Sequence, residues 1–214
     1  MLVGERMSHP VITIHPKMSM QDALNLMRQE HVRRFPVVDK HGRLVGIVSE
    51  KDLLDASPSD ATSLSIYEVN YLLGKITVKE IMTQDVITIT EDTPLEEAAR
   101  IMADKKIGGL PVIRNNDVVG IITETDLFKI FLELLGAREP GVRIAAIVPN
   151  IPSELAQLTK AIFDIGGKVV ALGMFLGDSS DTREICIKVA EVAPQVLEDA
   201  LAPFVEKIVD IRET

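Results

Sequence analysis

One stretch of this chain is written twice. Phe35-Pro36-Val37-Val38 returns 75 residues later as Leu110-Pro111-Val112-Ile113, and Val11-Ile12-Thr13-Ile14 returns at the same interval as Val86-Ile87-Thr88-Ile89. Val3-Gly4-Glu5-Arg6-Met7 is answered by Val78-Lys79-Glu80-Ile81-Met82. Past a one-residue deletion in the intervening turn, Gly46-Ile47-Val48-Ser49-Glu50-Lys51-Asp52-Leu53 matches Gly120-Ile121-Ile122-Thr123-Glu124-Thr125-Asp126-Leu127. A unit that cannot bury its own apolar face gains a core by packing against its copy. Two copies related by a pseudo-twofold axis also duplicate whatever chemistry they carry, so clefts are expected in pairs.

The 214 residues are 46% hydrophobic, enough for one large domain or two modest ones. The net charge of −9, with no long basic run, argues against nucleic-acid binding, which needs a basic face to displace counterions. No stretch approaches the ~20 apolar residues of a membrane span. The first repeat opens at Val3 with no room for a signal peptide ahead of it, and the lone Cys186 has no internal disulfide partner, so the expected compartment is a reducing cytoplasm. With aromatics at 4% and no Trp, the interior must be aliphatic and methionine-filled.

Each repeat reads as a short strand, a helix, a two-stranded hairpin and a second helix. Val11–Ile14 is β-branched and ends at His15-Pro16. Ser19-Met20-Gln21-Asp22 then has the form of a capping box, with Met20, Ala23, Leu24 and Met27 at helical spacing. The second copy has Thr93-Pro94-Leu95-Glu96 and the stripe Leu95, Ala98, Ala99, Met102. The hairpin turns are Asp39-Lys40-His41-Gly42 and Arg114-Asn115-Asn116-Asp117. Between the repeats a polar stretch from Ala56 to Ser63 reads as a surface loop, followed by a cap at Ser65 and a helix through Leu73. The helix from Asp126 to Leu135 is apolar almost all round, which calls for burial on more than one side, in an interdomain or intersubunit contact. Beyond Pro140-Gly141 the rhythm changes to strand, helix, two strands, helix and strand, a ferredoxin-like βαββαβ order.

The twice-present pattern of Phe-Pro-Val-Val-Asp, then Gly-Arg-Leu-Val-Gly-Ile-Val-Ser-Glu-Lys-Asp-Leu, resembles the CBS-domain motif over residues 1–135. Residues 142–214 resemble an ACT domain, with Val148-Pro149-Asn150-Ile151-Pro152-Ser153-Glu154-Leu155 where that family usually has Asp-x-Pro-Gly-x-Leu. A CBS pair followed by one ACT domain is similar to the acetoin-utilisation protein AcuB and its relatives. The implied fold class is α+β: a tandem CBS pair of βαββα type plus a C-terminal ferredoxin-like ACT domain. The implied domains are repeat 1 over 1–55, a connecting loop and helix over 56–75, repeat 2 over 76–135 and the ACT-like domain over 142–214.

Ser49-x-x-Asp52 and Thr123-x-x-Asp126 have two readings. As caps they are complete in themselves, each worth about 1 kcal/mol. As ligand groups, the carboxylate would accept hydrogen bonds from the two hydroxyls of a ribose, and the hydroxyl with free helix amides would face sugar or phosphate. Their duplication within a CBS-like frame favours a nucleotide site. By that resemblance, one cleft joins Ser49 and Asp52 to Thr88, Thr90 and Asp92-Thr93, and the other joins Thr123 and Asp126 to Thr13, His15 and Lys17. Lys17 and His15 attract phosphate where Glu91 and Asp92 repel it, so the second cleft is expected to be the tighter. Arg33 and Arg34, replaced by Gly108-Gly109 in the second copy, are either forked phosphate ligands or a solvated basic corner.

His9, His15, His31 and His41 lack metal-ligand spacing and read as separate surface residues. Cys186, in an apolar strand, reads as a small core residue. In the ACT-like segment Ser153 stands in place of a glycine, which narrows the approach of an amino acid, so a pairing surface is at least as well supported as a ligand site. No catalytic set stands out. The reading is of a non-enzymatic cytoplasmic sensor. It would bind an adenine nucleotide (AMP, ADP or ATP) or S-adenosylmethionine, form a homodimer and signal through the ACT-like domain to a protein target. The alternatives are a structural adaptor with vestigial clefts or an accessory factor in acetoin catabolism.

Overall fold

The computed structural model describes residues 1–56 and 74–214; the expected surface loop beyond Ala56 and the helix expected over Ser65–Leu73 lie outside them. The chain divides into two compact units, Met1–Leu127 and Phe128–Thr214.

In the first unit, repeat 1 supplies α1 (Met20–Gln29), the antiparallel hairpin β1 (Arg34–Val38) and β2 (Leu44–Ser49), and α2 (Glu50–Asp55). Ser19 caps α1 by accepting the Asp22 amide at 3.1 Å, and the helix buries Met20, Ala23, Leu24 and Met27 against Phe35, Val37, Val48 and Leu53. A short α3 (Val78–Ile81) opens repeat 2, followed by α4 (Leu95–Lys105), β3 (Gly109–Arg114), β4 (Asp117–Thr123) and α5 (Glu124–Leu134). The deleted residue is accounted for at the second hairpin. Asn115 and Asn116 both take positive φ, +50° and +72°, and close a two-residue turn. In the first hairpin the Asp39 carboxylate instead organises a longer turn by accepting the amides of His41 and Arg43.

The strands expected at 11–14 and 86–89 shrink to single bridges, Ile14 beside Val37 and Ile89 beside Val112. The amide of Ile14 donates to the Pro36 carbonyl, and that of Val38 donates to the Ile14 carbonyl. The next rung toward the N-terminus would need an N–H from Pro36, which proline lacks. Pro111 imposes the same stop on the second copy.

The opening segment of each repeat docks on the other repeat. The amides of Val3 and Gly4 donate to the carbonyls of Thr93 and Glu91, both at 2.9 Å. Reciprocally, Val78 donates to Met18 and Lys79 to Pro16, and Val78 is fully buried in the core of repeat 1. The crossing chain then adds one rung to each hairpin. Ile47 and Thr83 exchange two backbone hydrogen bonds at 2.9 Å, and Ser8 and Ile121 exchange two at 2.9 and 3.2 Å. A glycine makes each crossing possible. A Cβ on Gly46 would lie 2.5 Å from the Met82 sulfur, and one on Gly120 would lie 2.3 Å from the Met7 sulfur.

Among the described residues, the all-round burial expected of the Asp126–Leu135 helix is not found. Of α5 only Asp126 is buried, while Phe128 is 68% exposed and Phe131, Leu132 and Leu134 are also open.

The second unit has β5 (Val142–Pro149), α6 (Glu154–Asp164), β6 (Lys168–Leu176), β7 (Thr182–Ala190), α7 (Pro194–Leu201) and β8 (Lys207–Glu213). The sheet order is β6-β7-β5-β8, antiparallel throughout, which is the ferredoxin-like arrangement. Ile144, Val148, Ile185, Ile187 and Val189 face Leu158, Ile162, Leu197 and Leu201 of the two helices. Cys186 pairs with Ala145 and Gly173 on the opposite face and is only half-buried, so it is not a core residue. On that face the buried Lys188 ammonium is satisfied by donating to the Gly136 carbonyl at 3.0 Å.

Two stability outcomes are expected. Gly46→Ala and Gly120→Ala each force a methionine off the crossing and should cost about 1–3 kcal/mol in chemical denaturation. Gly46→Ala combined with Met82→Ala should cost less than the sum of the two single changes. Glu154, 5% exposed with Oε1 unpartnered, has its carboxyl pushed up by burial. Its contribution to stability is full below the unfolded value of about 4.3 and is lost as pH rises through the raised folded value. Glu154→Gln should therefore be more stable than the parent at pH 7, with the gain vanishing below about pH 4; equal stabilities across that range would refute it.

Candidate functional site

Both Ser/Thr-x-x-Asp elements form the helix caps their sequence describes. Ser49 Oγ and the Ser49 amide donate to Asp52 Oδ2 at 2.7 and 2.8 Å, and the Asp52 amide donates back to Ser49 Oγ at 3.2 Å. Thr123 repeats this on Asp126 Oδ2, at 2.7 and 3.0 Å. The cap uses one carboxylate oxygen in each case. Asp52 Oδ1 stays outside it, whereas Asp126 Oδ1 receives the Ser8 hydroxyl at 3.5 Å.

Beside Ser49 and Asp52 lies a cleft of about 420 Å³. Its apolar wall is Ile47, Val86 and Ile87, with Thr83 and Asp85 on the same chain segment. Arg34, Lys51 and Lys106 bring positive charge, and Asp55 adds a further carboxylate. Ile107, Gly108 and Gly109 complete the lining. Repeat 1 thus supplies the Ser-x-x-Asp element and repeat 2 the facing segment, the cross-repeat pairing expected from the sequence.

The facing segment is 83–87, not the turn further on. Thr88 is exposed and outside the lining. Thr90 and Thr93 close their own turn: the Thr90 hydroxyl donates to Asp92, and its amide donates to Thr93 Oγ1 at 3.2 Å. Glu91 is held by both arms of Arg114, whose hydrogen bonds keep the Glu91 carboxyl below its usual value. The N-terminal segment occupies this turn through the Thr93 and Glu91 carbonyls. The His15–Lys17 turn is likewise taken up: the Lys17 amide donates to His15 Nδ1 at 3.2 Å, and the Pro16 carbonyl accepts Lys79. Thr13, His15 and Lys17 are all exposed. The crossing segments therefore bond to both turns, and the cleft beside Ser49 falls upstream of the Thr90–Thr93 turn.

The two arginines part company. Arg33 Nη2 donates to Thr125 Oγ1 at 3.0 Å, at the start of α5. Arg34 lines the cleft, with Nη2 3.8 Å from Glu124 Oε2. One glycine of the Gly108-Gly109 pair that stands where repeat 1 has Arg33-Arg34 is now explained. A Cβ on Gly108 would fall 1.8 Å from Arg34 Nη2, so Gly108 vacates the space that the guanidinium fills. Sequence reasoning missed Lys51, Asp55, Thr83, Asp85 and Lys106; Thr83 and Ser8 could have been found, because each follows the repeated methionine. Among the described residues no group of three or more His, Cys, Asp and Glu side chains could hold a metal ion, and no helix is long and apolar enough to cross a membrane.

Comparison with known proteins places this geometry in context. The chain is 34% identical over 131 residues to L-aspartate semialdehyde sulfurtransferase of Methanocaldococcus jannaschii, covering 61% of this chain but 23% of that enzyme. Among solved structures, the CBS domain pair of protein MJ0100, in complex with 5′-methylthioadenosine and S-adenosyl-L-methionine, is 33% identical with a TM-score of 0.52, covering 65% of this chain and 98% of that one. A candidate acetoin utilization protein (AcuB) from Vibrio cholerae is 33% identical with a TM-score of 0.53, over 65% and 96% of the two chains. CBSX2 in complex with AMP is 31% identical with a TM-score of 0.51, over 62% and 97%. The CBS-domain family model matches residues 3–59 and again 78–133, more than half of the sequence, and this chain belongs to the CBS-domain family.

Proposed function

We propose that this protein is a non-catalytic regulatory sensor that binds an adenine nucleotide or an adenosyl compound in the clefts of its CBS pair. The observation that carries the reading is the cleft beside Ser49 and Asp52, where a carboxylate oxygen left over from a helix cap, an apolar wall and three cations lie together. In this reading Asp52 accepts the ribose hydroxyls, Val86 and Ile87 flank the base, and Arg34, Lys51 and Lys106 meet the phosphate. The complexes of MJ0100 and CBSX2 with adenosyl ligands support that chemistry. Thr123 and Asp126 form the counterpart in the second repeat, with Ser8 in the place of Thr83. The sulfurtransferase's activity is not carried over, since the chain spans only about a quarter of that enzyme.

Residues 142–214 are proposed as an ACT-like module that pairs two chains. Its two sheet edges differ. β8 carries Lys207, Asp210, Arg212 and Glu213, a charged edge of the kind that resists pairing, whereas β6 presents Val169, Met174, Phe175 and Leu176, the last 82% exposed. Ligand binding would favour one arrangement of the repeats, and α5, which begins in the first unit and ends in the second, would carry the bias onward. A protein target and a role in acetoin utilisation, as in AcuB, belong to this reading as its output. The rival adaptor reading has one observation in its favour: the Ser49 cap is complete without any ligand, and Thr123 bonds Asp126 through both its hydroxyl and its amide.

Protein stripped of co-purified ligand should be stabilised by AMP, ADP, ATP or S-adenosylmethionine, by about 2.7 kcal/mol at a hundred times Kd. Asp52→Ala should lose about 1 kcal/mol of stability from the cap and at least about tenfold in nucleotide affinity. Loss of stability with unchanged affinity would favour the adaptor. Light scattering should give twice the chain mass for the parent and the single mass for Phe175→Lys combined with Leu176→Lys; a monomeric parent would sink the pairing proposal.

A further inference from the structure

Arg34 makes two contacts that the nucleotide reading leaves unexplained. It reaches across to Gly108, where a Cβ would fall 1.8 Å from its Nη2. It also faces Glu124, the first residue of α5, at 3.8 Å. Glu124 does not line the cleft, and Arg34 does. The pair is long and engages a single oxygen, and the two side chains are 24% and 58% exposed, so it is a loose ion pair of small worth.

We propose that Arg34 is the specificity residue of the first cleft, selecting a phosphorylated adenosine over neutral or sulfonium adenosyl compounds, with Glu124 as its built-in competitor. The proposal rests on the nucleotide reading of that cleft and goes beyond it in naming the ligand class and the exchange. A phosphate offers a guanidinium two oxygens and about two negative charges, and forked charge-assisted bonds of that kind outcompete a single contact at 3.8 Å. Glu124 and the phosphate cannot share Arg34 without bringing like charges together. The released Glu124 loses little, since it sits in the first turn of α5, where the helix dipole favours a negative charge. A sulfonium instead meets Arg34, Lys51 and Lys106 with like charge. Asp52, Asp55 and Asp85 lie in the same cleft and temper this field, which makes Arg34, whose carboxylate partner Glu124 stands outside the lining, the deciding group. The second repeat has Gly109 at the position matching Arg34, so the preference belongs to the first cleft. The exchange also frees the first residue of α5 when ligand arrives, which gives occupancy a physical effect on that helix.

Calorimetric titration of the full chain with AMP, adenosine and 5′-methylthioadenosine tests this. The parent should bind AMP at least about tenfold more tightly than adenosine. Arg34→Ala should bring that ratio close to one by weakening AMP alone. Glu124→Gln should tighten AMP several-fold without moving adenosine, because the competitor is neutralised while the cleft is untouched. Arg34→Gln, which keeps part of the side chain over Gly108, serves if the alanine variant fails to fold, and circular dichroism establishes which variants are folded. AMP binding whose ratio to adenosine is insensitive to Arg34 and Glu124 overturns the inference and leaves the nucleotide reading standing. A parent that binds none of the three compounds overturns both.

Discussion

The crossing of the two opening segments is the contact on which the first unit depends. Met82 lies against Gly46 and Met7 against Gly120, and each methionine is followed by a residue, Thr83 or Ser8, that adds a rung to the other repeat's hairpin. Neither repeat completes its core alone: Val78 is buried among Met20, Phe35 and Leu53 of the repeat to which it does not belong in sequence. The crossing also creates the cleft, because it lays residues 83–87 beside Ser49 and Asp52. Stability and the cleft thus share one packing event, and a bulkier residue at Gly46 would disturb both.

The internal symmetry is broken in one region, and the break is complementary. Arg33-Arg34 and Gly108-Gly109 occupy matching places in the two repeats, and the Arg34 guanidinium fills the space that a side chain on Gly108 would need. Arg33 and Arg34 also diverge, to Thr125 and Glu124, so the first turn of α5 is touched from two neighbouring positions of a single strand lead-in. That arrangement makes the start of α5 sensitive to whatever engages these arginines. The outer face of the same helix is apolar, and among the described residues Phe128 and Phe131 are left open.

Much of the fold is legible in the residues. Ser19, Pro94 and the two Ser/Thr-x-x-Asp elements mark helix starts because caps act over three residues, and the βαββαβ order of 142–214 follows from local periodicity and glycine breaks. The failures have equally local causes. Val11–Ile14 has strand composition, but its neighbour in space is Pro36, which has no N–H to extend a ladder. Thr90, Thr93, His15 and Lys17 have side chains suited to a ligand, but crossing segments hold their turns through backbone carbonyls that no side-chain pattern reveals.

By itself the sequence determined the duplication, the caps, the element order and the presence of a carboxylate and hydroxyl pair in each half, because these depend on neighbours a few residues apart. Only the tertiary structure decided which segment faces which pair, that Gly46 and Gly120 exist for two methionines, and that Gly108 exists for Arg34. Those contacts join residues 36 to 113 positions apart, and their fit is a matter of excluded volume between side chains whose separation no repeat spacing encodes.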